Sequence, residues 1–335
     1  MASHPVWLFV RKSIKHMTRR DEVFKAIAFQ KPTYVPIYYF NQDQEQSDIV
    51  ALEVQRHFLG PHKDRSEWGF AWDRIDETMG QPSTNLVNHP DDLITLNVPD
   101  PDDSERFRGV EEFNRAYPDR FRIASLALSG FTTMTFLRGF NNLMLDLVDQ
   151  PELVYALADK VFGFEESLIR LLPRYRFDAV GFFDDWGTQD GMIISPAAWR
   201  SYFKPRYAHQ FDMAHQLGLK VYFHCCGYYP QIIPDFIEIG VDLLNISQPN
   251  LYDIPELGRK YGGKVCFVCP VSYQTTSISG SSEEIYEDVR TLVDNLGRFN
   301  GGLVGYVEEY HSMGMSQSNY NACVQAFRTL GLYKP

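Results

Sequence analysis

The sequence has no run rich in lysine and arginine, no internal repeat, no low-complexity tract and no apolar stretch near the ~18 residues of a membrane span. Its net charge is −11, from 43 acidic against 32 basic residues, which argues against a nucleic-acid backbone as partner. Without a long apolar run, no membrane-embedded role is expected. Cysteine is scarce and odd in number, five in 335 residues, a count that fits a reducing compartment better than a disulfide framework. The basic N-terminus contains Pro5-Val6-Trp7-Leu8-Phe9-Val10, too short for a signal core and without a small-residue cleavage site. A cytoplasmic protein is therefore expected.

What the chain does have is apolar mass. At 44% hydrophobic and 14% aromatic, it can bury a large core as one domain over residues 1–335. Apolar runs predict strands at 34–40, 121–128, 179–184, 221–226, 241–247, 265–271 and 302–307. Amphipathic patterns predict helices at 20–28 (an N-terminal helical region of 17–30), 49–58, 104–117, 151–172, 196–217, 231–239, 282–296 and 319–330. The alternation of strand and helix is the rhythm of a parallel sheet, and the near-continuous apolar runs suggest burial on both faces. Together these predict an α/β fold, a (β/α)8 TIM barrel. Ser195-Pro196 fits a helix N-cap followed by proline, and Gly218 and Gly240 sit where helix C-caps belong. Residues 60–103, rich in Pro, Asp and Asn, are expected to form an excursion outside the barrel.

The run Val221-Tyr222-Phe223-His224-Cys225-Cys226-Gly227 carries the sharpest chemical signal. Side chains alternate along a strand, so His224 and Cys226 share one face and Cys225 takes the other. Imidazole with thiolate suits zinc better than magnesium or calcium. The plainer alternative is that these cysteines are small core hydrophobes. Chemistry in a barrel gathers at the C-terminal ends of strands, where Asp184, Asp185 and Trp186 follow one run, Asn245, Ser247 and Gln248 another, Tyr273 and Gln274 a third, and Glu308, Glu309 and His311 the last. Any one of these has an ordinary explanation, such as an aspartate capping a helix. Cys266 and Cys269, three apart on a strand, would face opposite ways, and Cys323 falls in a helix pattern; all three are taken as structural.

Met17-Thr18-Arg19-Arg20-Asp21-Glu22-Val23, Lys31-Pro32-Thr33-Tyr34-Val35-Pro36-Ile37, Glu67-Trp68-Gly69 with Trp72, Pro99-Asp100-Pro101, Asp184-Asp185 before Ser195-Pro196, His224-x-Cys226-Gly227, Gly240 to Asn245, and Gly301-Gly302 together resemble the uroporphyrinogen decarboxylase superfamily. His-x-Cys-Gly is similar to its corrinoid-dependent methyltransferase branch. The resemblance implies a zinc enzyme that moves a methyl group between a small thiol, methoxylated or methylated compound and a corrinoid (cobalamin) held by a partner protein, with a homodimer by analogy. It implies His224 and Cys226 as zinc ligands. The branch's distant C-terminal cysteine is absent, leaving His311, Glu308 or Glu309 as third ligand. Asp185 would ligate the resting metal or accept a proton, and Tyr38, Trp186, Tyr228, Tyr229, Asn245, Gln248 and Gln274 would line the substrate pocket. The superfamily's decarboxylases bind carboxylates through arginines near the N-terminus. Tyr38-Tyr39-Phe40-Asn41-Gln42 has no arginine pair at the first strand, which weakens that reaction. Two alternatives stay open: a metal-free decarboxylase using Asp184 or Asp185 with His311, and a non-catalytic barrel that binds a corrinoid or tetrapyrrole.

Overall fold

A computed structural model describes residues 17–59, 64–74, 80–308 and 313–333. The strands are β1 (Ile37–Tyr39), β2 (Ile49–Glu53), β3 (Trp72–Asp73), β4 (Gln81–Pro82), β5 (Phe121–Leu128), β6 (Ala179–Phe183), β7 (Lys220–Cys225), β8 (Leu243–Ile246), β9 (Cys266–Pro270) and β10 (Leu303–Val307). Eight of them close a parallel barrel in the order β1-β10-β9-β8-β7-β6-β5-β2, and β3 pairs antiparallel with β4 as a separate ribbon. This is the (β/α)8 architecture that the strand rhythm implies.

Period-two alternation divides each strand between two cores. Tyr38, Ile49, Phe121, Ile123, Ala179, Tyr222, Leu243, Cys266, Val268, Val304 and Tyr306 fill the barrel interior. Their neighbours Tyr39, Val180, Phe182, Val221, Phe223, Leu244, Phe267 and Cys269 face outward, under the helices. Burial on both faces explains why the strand sequences are continuously apolar. Cys266 and Cys269 fall into different cores and are fully buried. Cys323 is buried in the helix Gln317–Leu330.

The structure corrects several predicted elements. The segment expected as a helix over 49–58 begins with barrel strand β2, paired with β5 from Ile49 opposite Phe121 to Glu53 opposite Ser125. Its Ile-Val-Ala-Leu run suits a doubly buried strand as well as a helix face, and only the neighbours decide. The 196–217 helix is two, Pro196–Tyr202 and Lys204–Gln216, with Pro205 in the first turn of the second. The 104–117 helix forms only over Val110–Ala116, because Gly109 at its N-cap is left-handed (φ 84°); Arg106, before it, makes a buried pair with Glu67 at 2.7 and 3.1 Å. Helices Gly130–Arg138, Phe140–Asp149 and Ile254–Tyr261 were not foreseen. Ser195 caps its helix through the Ala198 amide, and Gly218 and Gly240 follow helices with positive φ, as the sequence implies.

The described part of 60–103 holds only β3, β4 and the short helix Asp92–Thr95. It is nevertheless packed, through Trp68 beside Phe164, Phe70 and Trp72 beside Phe136, and the Arg106–Glu67 pair. No helix among the described residues is long and apolar enough to cross a membrane.

Candidate metal centre

The loops leaving β6 and β7 are joined by main chain. The Gly187 amide donates to the Cys226 carbonyl (3.2 Å), the Tyr228 amide to the Thr188 carbonyl (2.7 Å), and the Trp186 amide to the Cys225 sulfur (3.2 Å). Gly187 and Gly227 lie backbone against backbone. A Cβ on Gly227, whose φ is +80°, would stand 2.1 Å from the Gly187 carbonyl carbon. Only glycine allows that approach in that conformation.

This junction sets three donor groups together. His224 points inward from β7, Cys226 follows on the same face, and Asp185 lies beyond the end of β6. One donor atom from each falls within 4.8 Å of the others. The Asp185 carboxylate accepts from the Cys226 amide at 2.8 Å, and Cys226 Sγ is 3.5 Å from His224 Nε2. Cys225 faces the outer core, as strand alternation requires.

The imidazole orientation is set from behind. Asn245, inward on β8, donates its amide to the Val268 carbonyl (2.7 Å), which turns its Oδ1 toward Tyr222 Oη (3.0 Å) and His224 Nδ1 (2.6 Å). Nδ1 therefore carries the proton and donates, leaving the Nε2 lone pair directed at the cysteine and aspartate. The Ser247 hydroxyl donates to Cys226 Sγ at 3.2 Å. Burial, then the Asp185 charge, pushes the Cys226 thiol up to about 12. Without a cation the sulfur keeps its proton; a soft divalent cation would displace it.

The remaining predicted residues separate by face. Tyr38 lies in the barrel interior beneath this group, edge-on to Tyr222 and Tyr306 at 6.1 and 5.5 Å. Glu308, expected as a ligand, follows β10 on the wall opposite β6 and β7 and is not in the donor group, whose third member among the described residues is Asp185. His311 and Glu309 lie outside the described residues. Asp184, expected to be catalytic, turns outward. Its carboxyl accepts from the Phe131 and Thr132 amides (2.9 and 2.8 Å), the Thr132 hydroxyl (2.6 Å) and Tyr207 Oη, and so holds the start of the helix Gly130–Arg138.

Three expected pocket residues, Trp186, Tyr229 and Gln248, are instead structural. Trp186 is fully buried on the outer side, stacked on Phe131 at 4.5 Å and packed against Phe203 at 4.7 Å. Tyr229 is fully buried and holds Tyr252 through its backbone amide. Gln248 accepts from the Gly227 amide at 2.6 Å and so fixes the loop carrying Cys226. Tyr228 packs on Tyr252 and borders a small hollow with Pro230 and Lys260. Gln274 is exposed and pairs with Asn250 at 3.2 Å. The aromatic residues not foreseen here are Phe183 and Tyr306; strand alternation from Tyr38, Tyr222 and His224 was the available signal.

Residues 74–317 match the uroporphyrinogen decarboxylase (URO-D) family. Among solved structures, a methyltransferase from Methanosarcina mazei superposes with a TM-score of 0.67 at 13% identity, covering 93% of this chain and 99% of that one. Xylanase B from Clostridium stercorarium F9 gives a TM-score of 0.43 at 11% identity, covering 84% of this chain and 86% of that one. Chitinase from Chromobacterium violaceum gives 0.42 at 10% identity, covering 88% and 98%. No curated protein matches the sequence.

Proposed function

Because the chain belongs to the uroporphyrinogen decarboxylase (URO-D) family, we propose that it is a zinc-dependent methyltransferase acting between a small substrate with a ligating heteroatom and a corrinoid held by a partner protein. The observation that carries this reading is the group Asp185, His224 and Cys226, with its three donor atoms within 4.8 Å. Imidazole, thiolate and carboxylate are each zinc ligands, and three protein ligands leave a coordination position for substrate. Asp185, His224 and Cys226 would hold the ion. Zinc bound there supplies a Lewis acid that favours the deprotonated form of a thiol or draws electrons from a methylated heteroatom. The Methanosarcina mazei barrel being a methyltransferase is in keeping with the proposal.

The chain's own residues do the rest. Asn245 keeps the His224 Nε2 lone pair free by holding the proton on Nδ1. Ser247, by donating to Cys226 Sγ, takes up part of the charge that the sulfur carries once deprotonated. Gly187 and Gly227 keep Asp185 and Cys226 in one rigid junction. Phe183, stacked on His224 at 5.1 Å, walls the group with an apolar ring and limits water beside it. Asp185, with its side chain 45% exposed, is the donor best placed to exchange a proton with a substrate arriving from the mouth.

The test is a methyl-transfer assay with zinc-loaded protein, methylcobalamin and a panel of thiols, followed by mass spectrometry of the thiol product. S-methylated product that disappears in Cys226→Ala and on chelation is the expected result. Turnover untouched by both would contradict the assignment.

A further inference from the structure

We propose that the substrate carries an ammonium group, which rests on an aromatic floor across the barrel from the metal group; this deepens the methyltransferase reading and takes its metal centre as given. The barrel order sets β6 and β7 opposite β10 and β1. The zinc donors stand on the first wall. Phe40 and Glu308, the residues after β1 and β10, stand on the second.

Between the walls runs a continuous aromatic surface. Phe183 stacks on His224 at 5.1 Å and meets Tyr222 at 5.7 Å; Phe40 lies 6.3 Å from Phe183 and 5.8 Å from Tyr306. Tyr38, Tyr222 and Tyr306 are buried beneath, whereas Phe40 and Phe183 are only partly buried. A substrate heteroatom at the metal therefore leaves the rest of the molecule lying over the Phe183 and Phe40 rings. Its far end then meets Glu308.

Among the described residues, the charged side chains at the inward strand ends are all acidic. Glu308 is hydrogen-bonded with Tyr306, and its charge reaches Tyr38, Tyr222 and Tyr273. Glu53, at the end of β2 in register with Ser125, adds a second carboxylate on the inward side. The inward strand-end positions include Phe40, Glu53, Asp185, Cys226, Ser247 and Glu308, and none of these is lysine or arginine. Aromatic faces beside carboxylates attract ammonium groups. A sulfonate, phosphate or carboxylate laid on the same floor would be desolvated beside like charge.

The experiment compares two probes of similar size and opposite charge, phenyltrimethylammonium and benzenesulfonate, by calorimetric titration of the full chain with and without zinc. Phenyltrimethylammonium is expected to bind about tenfold tighter or better, and Glu308→Gln to bring the pair within about twofold, with an unchanged thermal melt. Phe183→Leu is expected to weaken the ammonium probe alone. Equal affinities, tighter sulfonate binding, no detectable ammonium binding, or a preference that survives both substitutions would overturn the proposal. The preference is read in zinc-free protein as well, so failure to bind zinc would overturn the metal-centre reading while the charge preference is judged on its own result.

Discussion

Asn245 is the residue on which the site's chemistry depends most without its being a zinc donor. Its Oδ1 receives both Tyr222 Oη and His224 Nδ1, and its amide is fixed by the Val268 carbonyl. Asn245→Ala should weaken zinc binding about 10- to 100-fold while leaving all three donors in place. Competition against a chelator of known affinity measures this, and unchanged affinity would contradict the tautomer argument. At this scale the sequence was legible where strand alternation holds. His224 and Cys226 share a face because they are two apart at the end of β7, and Asp185 faces inward because Asp184 faces out. Legibility fails once the chain leaves a strand. Trp186 and Tyr229 sit among chemical residues, but their rings are core anchors, and nothing in residue type separates an aromatic anchor from an aromatic lining. The third donor was open among His311, Glu308 and Glu309 for a related reason: that Asp185 rather than Glu308 lies beside His224 and Cys226 follows only from the order of strands around the ring.

Among the elements, the β6 and β7 loops behave as one unit through Gly187 and Gly227. Gly227→Ala forces a Cβ to 2.1 Å from the Gly187 carbonyl carbon at a φ of +80°. It should cost about 2–4 kcal/mol from overpacking and left-handed strain, and lower the zinc bound per folded molecule. Gly191→Ala is the control, since nothing lies within 4 Å of the point where its new methyl group would stand; urea denaturation and metal analysis should leave it unchanged. If both variants behaved alike, the junction would not be what holds the donors. Seven barrel strands were visible as apolar runs because both their faces are buried. The eighth, β2, was hidden because Ile49-Val50-Ala51-Leu52 fits a helix face or a short strand equally, and only its place between β1 and β5 settles the matter. Helices Gly130–Arg138 and Phe140–Asp149 escaped notice because no strand-like contrast delimits them; the first is anchored by Asp184, more than forty residues later in the chain.

At the scale of the whole molecule, buried carboxyls behind β6 make stability depend on pH. Burial raises Glu165 to about 7 and Asp184 to about 8, above their unfolded values near 4. The native state therefore holds protons that the unfolded chain has lost, and stability falls as pH rises through this window, by at most about 1.4 kcal/mol per pH unit for each carboxyl. His57, lowered by burial to about 4, acts oppositely but only below its unfolded value of about 6.5. From pH 6.5 to about 7.5 the carboxyl effect should dominate, before the buried thiols, all raised by burial above their unfolded value of about 8.5, add a loss in the same direction. Glu165→Gln should flatten it in urea melts without unfolding the chain, because Gln210, whose Oε1 has no partner, can turn to accept from the new amide; a slope equal to the unmodified protein's would contradict the account. The most direct test of the central claim is metal analysis of the purified, zinc-supplied chain beside Asp185→Ala, His224→Ala, Cys226→Ala and Glu308→Ala. Zinc near one ion per chain, lost in the first three variants and kept in Glu308→Ala, is the predicted result; no zinc in the unmodified protein, or zinc retained without Cys226, would contradict it.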